Sequence, residues 1–291
     1  MEVTSYLELT DSQIASVRAL VHVCNEYENL NGEVFFSNRL NYDTTIRCYY
    51  CMREDDRLIG FLSAFIPTKD VAEISAYVHP DFRRKGVFSA LFSSVCEELV
   101  KYSIQDILFV SQPQAKACEN VLEKFSAKKN HSEYLMEFRG EAVEPMQTDL
   151  CLRLADLSNR ETVIMLSEAA FEESRETAET IADNSLRADN IDVYLAYLGD
   201  CVIGTMSTNR EGDELFIYGV AVLPEFQRQG YGKQMLNLLM CELSKPDRVR
   251  ILIEADSKKP NAYGLYQRSG FDIVTEFDYV SYRIEKRSES N

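Results

Sequence analysis

The strongest constraint on this chain is an internal repeat at one fixed spacing. Gly60 and Gly204, Pro80 and Pro224, and Gly86 and Gly230 each stand 144 residues apart. Ile59 and Ile203, Val78 and Val222, Phe82 and Phe226, and Arg84 and Arg228 keep the same distance without a gap. An offset held through a strand, a turn and a helix start reads as a duplicated domain. The length of 291 residues agrees, because it exceeds the usual single-core size and gives each half enough chain for its own core. The polar, Pro-containing stretch 140–149 is the natural join. The expected organisation is therefore a first domain at 1–140, a linker at 141–149 and a second domain at 150–291.

The second half shows the element order most clearly. A strand is expected at 150–154, helices at 161–171 and 175–187, and strands at 193–197 and 202–207. Gly199 and Asp200 between the last two are a hairpin signal. A longer strand at 215–222 runs into a glycine turn. Met235, Leu236, Leu239, Met240 and Leu243 then fall at helical spacing, as Leu91, Phe92, Val95, Cys96 and Leu99 do in the first half. A buried strand at 250–254, a helix at 261–269 and a strand at 271–284 complete the pattern. This mixture of strands and helices predicts an α+β (α/β) fold repeated twice.

The formal charge of −16 excludes a nucleic-acid partner, since neutralising phosphates needs a basic face. It suits a cationic or amine ligand. Positive charge gathers at Arg83, Arg84 and Lys85 and again between Arg228 and Lys233, each time just before an expected helix. No apolar run reaches membrane-spanning length, and the first residues lack a basic start followed by an apolar stretch. Eight cysteines scattered through apolar stretches read as reduced thiols, which sets a cytoplasmic expectation. Cys48 and Cys51 form a CxxC spacing without a second pair. On a strand at 45–52 their side chains would point to opposite faces, so metal or redox use is not expected. His22, His79 and His131 show no metal-ligand spacing; His79, beside Pro80 at a strand end, is the one retained as a functional candidate.

The chemistry is expected where a strand feeds a glycine turn that opens a helix. Such a helix start presents unpaired N–H groups and partial positive charge, and it holds phosphate when no side chain obstructs the approach. Gly230 and Gly232 remove that obstruction. Farther along, Asn261, Leu265, Tyr266, Gly270 and Phe271 supply a second motif at the following strand's end.

With both motifs in hand, the chain resembles the GNAT superfamily of N-acetyltransferases. That superfamily's signature is a strand, then Pro, then Q/R-x-x-G-x-G/A leading into a helix; Val222, Leu223, Pro224 and then Gln227 to Gly232 match it. The resemblance implies two tandem domains, each a mixed, mostly antiparallel twisted sheet flanked by helices. It implies acetyl-CoA as acyl donor and no metal. The amides of Gln227, Arg228, Gln229, Gly230, Tyr231, Gly232 and Lys233 would hold the CoA pyrophosphate. Val220 and Val222 would pair with the pantetheine arm, and Asn261 would steady it. The acceptor would be a primary amine on a small molecule or peptide, attacking the thioester directly. Tyr266 is the expected general acid toward the departing thiolate. Glu254, at the end of the buried strand, is the candidate base, because a protonated amine is no nucleophile.

The first half departs from this pattern at residues with named roles. Arg83, Arg84, Lys85, Gly86 and Val87 form a second candidate CoA site, but Phe88 stands where Gly232 does. Ala117, Leu122 and Ser126 replace Asn261, Tyr266 and Gly270. Catalysis is therefore expected in the second half. A non-catalytic acyl-CoA-binding protein, or catalysis by other residues in the first half, are the alternatives. Glu172 and Glu173, in the stretch from Phe171 to Ser174, are candidates for attracting the acceptor ammonium.

Overall fold

The computed structural model describes residues 2–140, 143, 145–171, 174–243 and 249–284. The chain opens with β1 (Val3–Tyr6) and α1 (Asp11–Glu28), followed by β2 (Tyr49–Glu54), β3 (Arg57–Phe65) and β4 (Val71–Val78). A 3₁₀ turn, Pro80–Phe82, leads to α2 (Val87–Lys101), β5 (Asp106–Ser111), α3 (Lys116–Lys124) and β6 (Lys128–Phe138). Then come β7 (Leu150–Leu154), α4 (Arg160–Phe171), α5 (Arg175–Arg187), β8 (Ile191–Leu198), β9 (Cys201–Glu211) and β10 (Glu214–Val222). After a second 3₁₀ turn, Pro224–Phe226, follow α6 (Tyr231–Leu243), β11 (Arg250–Asp256), α7 (Pro260–Arg268) and β12 (Phe271–Arg283).

The repeat seen in the sequence is a repeat of structure. Pro80–Phe82 and Pro224–Phe226 correspond residue for residue at the 144 offset, as do Lys116–Lys124 and Pro260–Arg268. The unusual backbone angles repeat as well: φ is +64° at Arg84 and +60° at Arg228, +83° at Gly86 and +87° at Gly230. The expected elements of the second half are present, with β8, β9 and β11 longer than expected. The strand expected from residue 45 starts instead at Tyr49.

The chain forms two compact units, and they do not coincide with the two halves. One comprises residues 1–132 and 275–291, the other residues 133–274. The exchange falls on the closing strands. In the first unit β5 pairs antiparallel with the C-terminal part of β12, Tyr279 lying opposite Val110. In the second, β11 pairs antiparallel with the end of β6, Ile253 lying opposite Met136. Each repeat thus gives its last strand to the other unit, so the units divide the chain at places other than the linker expected at 141–149.

Within the first unit the strand order is β1-β2-β3-β4-β5-β12. The helix α2 covers one face, its Leu91 and Val95 clustering with Leu62, and α1 covers the other, its Val17 and Leu20 clustering with Phe61. Thr10 caps α1 through a reciprocal bond with Gln13, and Asn29 in the left-handed region ends it. In the second unit, β6-β11-β10-β9-β8-β7, the apolar stripe of α6 (Met235, Leu236, Leu239, Met240) packs with Tyr266 and Phe271 on one face. On the other face α4 and α5 lie over β8, β9 and β10.

Both cysteines of the CxxC are buried in the same apolar cluster as Tyr49 and Phe61. The expectation of opposite faces fails because Cys48 precedes the strand, where alternation does not apply. Burial pushes the Cys48 thiol up to about 12 and that of Cys51 up to about 11. All eight cysteines are free thiols.

Candidate functional site

In each unit two neighbouring parallel strands part at the same point. Pairing of β10 with β11 runs from Glu214 and Arg250 to Ile217 and Ile253 and then stops. Pairing of β4 with β5 likewise stops at Ile74 and Phe109. Beyond Ile217 the strand keeps its antiparallel partner β9 but bulges between Tyr218 and Ala221, around Gly219 at φ +60°. The edge of residues 218–222 that faced β11 is therefore open, and it carries the half-buried Val220 and Val222.

The glycine turn stands at the end of this open edge. Leu223 donates its N–H to Ile203 O and Gln227 Nε2 donates to Val222 O at 2.9 Å, so the turn is tied back to the strand. Gln229 Nε2 donates to Glu225 O at 2.9 Å. Gln227, Arg228, Gln229, Gly230 and Lys233 are exposed, Tyr231 and Gly232 half-buried, and the first turn of α6 carries no acidic residue. An anion is the complement of such a helix start.

The two glycines have different reasons. Gly230 sits at φ +87°, a region costly for any side chain. Gly232 is a matter of space, since a Cβ there would lie 3.1 Å from Leu265 Cδ2 on α7. In the first unit the equivalent residue, Phe88, stacks on Phe92 at 5.6 Å and meets Phe125 edge-on at 6.5 Å. An aromatic cluster with Phe109 and Tyr282 takes the place of that close helix contact.

Tyr266 and Glu254 both belong to this end of the second unit. Tyr266 is 6% exposed and its ring lies 6.3 Å from that of Phe271. Burial pushes its hydroxyl up to about 12. No hydrogen bond ties that hydroxyl to any described residue. Glu254 lies one residue beyond the parting of the strands, inside β11 rather than at its end. Its side chain alternates with Ile253 and Ala255, which share a cluster with Tyr266, so it projects from the opposite face. Glu254 is an exposed residue, although protein atoms crowd its carboxyl group. That crowding, followed by the like charge of Glu133, raises its pKa to about 7.

Three residues near this site carry no signal in the sequence. Glu133 lies opposite Asp256 on β6, diagonal to Glu254, and comes from the first repeat. Tyr218, at the bulge, places its hydroxyl 3.4 Å from Ser185 Oγ on α5. Only strand pairing and helix docking bring these groups to the open edge. Asn261, on the first turn of α7, is exposed, and its side chain makes no hydrogen bond to a described residue. Glu172 and Glu173 lie outside the described residues.

The first unit contains a cavity of about 1220 Å³ between its parted strands, lined by Ile74, Tyr77, Phe88, Phe109, Phe125 and Phe277 among others. Of the second candidate CoA site, Gly86 opens α2 and Val87 is buried against it, while Arg84 and Lys85 are exposed. Arg83 donates through Nε to Val78 O at 3.2 Å and pairs with Glu28 at 2.8 Å. His79 has a structural role. Its Nδ1 faces the Asp81 N–H at 3.2 Å as cap of the 3₁₀ turn, and its Nε2 contacts the Arg57 guanidinium. His22 makes an exposed contact with Glu26, and His131 stacks on Tyr279 at 4.4 Å.

Comparison with known proteins agrees with this architecture. A model of the acetyltransferase (GNAT) family matches residues 16–125 and 153–271, well over half of the chain. The fold is similar to that of a GCN5-related N-acetyltransferase from Sphaerobacter thermophilus (TM-score 0.76, 13% identity, 98% of this chain and 96% of that one). It is also similar to a tandem GNAT protein from the clavulanic acid biosynthesis pathway (TM-score 0.70, 13% identity, 99% of each chain). Among curated proteins, the [ribosomal protein bS18]-alanine N-acetyltransferase of Escherichia coli strain K12 is 35% identical over 63 residues. That match spans 22% of this chain and 43% of the relative, less than half its length. No helix among the described residues is long and apolar enough to cross a membrane. The duplicated strand–turn–helix, the parted strands and the family match at two places together establish that this chain belongs to the GNAT family of acetyltransferases, in tandem form.

Proposed function

We propose that the chain is an acetyl-CoA-dependent N-acetyltransferase whose second unit transfers the acetyl group to a primary amine. The observation that carries this reading is the pairing of an open strand edge at 218–222 with an unobstructed helix start at Gly230. The groups present fit the donor. Amides of residues 227–233 would hold the pyrophosphate, Val220 and Val222 would pair with the pantetheine arm, and the exposed Asn261 would steady it. When bound, acetyl-CoA supplies an activated thioester carbonyl.

Glu254 and Tyr266 stand on opposite faces of the same opening, which suits an acceptor arriving from one side and a leaving group departing on the other. Glu254 takes a proton from the acceptor ammonium, directly or through water, and frees the nitrogen lone pair for attack on the carbonyl carbon. The new C–N bond forms as the C–S bond breaks; Tyr266 gives its hydroxyl proton to the sulfur, and the proton still on the attacking nitrogen passes through water to the tyrosinate, leaving a neutral amide and the tyrosine restored. Tyr218 and Ser185 lie on the acceptor's side. The local similarity to a protein-alanine N-acetyltransferase supports including peptide N-termini with small amines as acceptors to test. Thiol release from acetyl-CoA across an amine and peptide panel tests the reading; full turnover by Tyr266→Phe would remove Tyr266 as the acid.

One observation favours a second reading. The cavity of about 1220 Å³ supports a ligand role for the first unit, as a non-catalytic acyl-CoA site or a second centre using other residues. CoA stoichiometry separates one site from two.

A further inference from the structure

In the first unit a carboxylate from α1 stands across the opening between β4 and β5. Glu28 Oε2 lies 2.8 Å from Arg83 Nη2, and Glu28 Oε1 accepts the N–H of Ala117, in the first turn of α3, at 3.0 Å. Arg83 is fixed further by Val78 O and by the Tyr27 ring, 5.1 Å from the guanidinium carbon. Both side chains are sheltered, Glu28 being 12% and Arg83 21% exposed. Each charge is thus satisfied by the other, and removing one strands its partner.

The two groups that Glu28 holds are the first-repeat counterparts of Gln227 and Asn261. In the second unit both of those residues are exposed. Among the described residues Gln227 reaches only Val222 O, and the Asn261 side chain bonds to none. One cleft therefore offers these positions to an incoming ligand, and the other gives them to a side chain of its own. The first cleft does not lack room. The first cleft's volume of about 1220 Å³ exceeds the roughly 300–1,000 Å³ of ordinary ligand pockets.

We propose that Glu28 determines which of the two clefts accepts the acyl-CoA, by occupying the Arg83 guanidinium and the Ala117 amide in place of the ligand. This rests on the reading of the second unit as the CoA site. A ligand arm entering the first opening competes with a carboxylate that is part of the same unit, whose effective concentration is on the order of millimolar or higher. Displacing Glu28 turns the first cleft into a site like the second.

The test is calorimetric titration of the full-length chain with CoA, with hydrogen exchange to locate each bound molecule. Wild type is expected to bind one equivalent, protecting 222–233 and leaving 78–89 unchanged. Glu28→Ala is expected to bind two, with new protection at 78–89 and an affinity there at least tenfold above wild type. Glu28→Gln keeps an acceptor for Ala117 but drops the charge on Arg83, and is expected to gain the second equivalent as well. Protection of 78–89 in wild type at the concentration that protects 222–233 overturns the proposal without any variant. So does a single equivalent in both variants with native-like thermal unfolding. Binding in Glu28→Ala only at 78–89, with none at 222–233 in wild type, supports the role of Glu28 and removes the second-unit reading instead.

Discussion

Arg83 and Gln227, 144 residues apart and chemically unlike, make the same hydrogen bond. Each donates from a side-chain nitrogen to the carbonyl that closes the preceding strand, Arg83 Nε to Val78 O at 3.2 Å and Gln227 Nε2 to Val222 O at 2.9 Å. The bond fixes the entry to the glycine turn in both units. What differs is the remainder of the side chain: the guanidinium has donors left over and meets Glu28, whereas the amide of Gln227 ends at the carbonyl.

Tyr266→Phe keeps the buried ring and removes only the hydroxyl. Turnover is expected to fall by about 10²- to 10⁴-fold, the usual range for a general acid, with KM for acetyl-CoA little changed. Steady-state kinetics with a free-thiol readout checks it, and an unchanged melting temperature confirms that packing survived.

Glu254 is raised to about 7 by crowding and by Glu133, and in the proposed role of base it would work only when ionised. The rate is expected to climb with pH through about 7 and then level. Glu133→Gln removes a like charge, stabilises the ionised form and moves that limb to lower pH. Glu254→Gln abolishes the limb. A profile of kcat/KM against pH for the three proteins decides it.

His79 is pushed below the ordinary imidazole value of about 6.5 by burial first and then by Arg57. The unfolded chain therefore binds the proton more readily, and the stability His79 contributes is present above about pH 6.5 and lost as pH falls below it. His79→Asn keeps an acceptor for the Asp81 N–H and is expected to flatten this dependence. Melting temperatures from pH 5.5 to 7.5 measure it, and an equal slope in both proteins would contradict the assignment.

Gly230→Ala places a side chain at φ +87°. It is expected to cost about 1–2 kcal/mol of stability and to weaken CoA binding, because the same strain displaces the amides of the turn. Chemical denaturation and CoA titration report the two effects separately.

A chain ending at residue 274 would lose the antiparallel partner of β5, leaving only β4 beside it, and the Tyr282 ring, which lies 4.9 Å from that of Phe125. Amide exchange is expected to accelerate at 106–111, in the first unit, while 250–256 keeps its partner β6. Faster exchange at 250–256 instead would contradict the strand exchange.

The sequence by itself determined the duplication, the order of strands and helices, and the place of the turn at Gln227 to Gly232. Each of these is local. Periodicity fixes which face of α6 is apolar, glycine fixes where φ turns positive, and a constant offset survives only if both copies keep the same elements. The apolar stripe of α6 was legible for the same reason. Tertiary structure alone decided which strand closes which unit, since β6 and β12 hold equivalent places in the two repeats and either could pair with β5 or β11. It also decided the surroundings of the site. Glu133 reaches Glu254 through that strand exchange, and Glu28 meets Arg83 and Ala117 through the docking of α1. Those contacts join residues dozens to more than a hundred positions apart, and charge and burial at such distances are set by packing, which no local pattern of residues encodes.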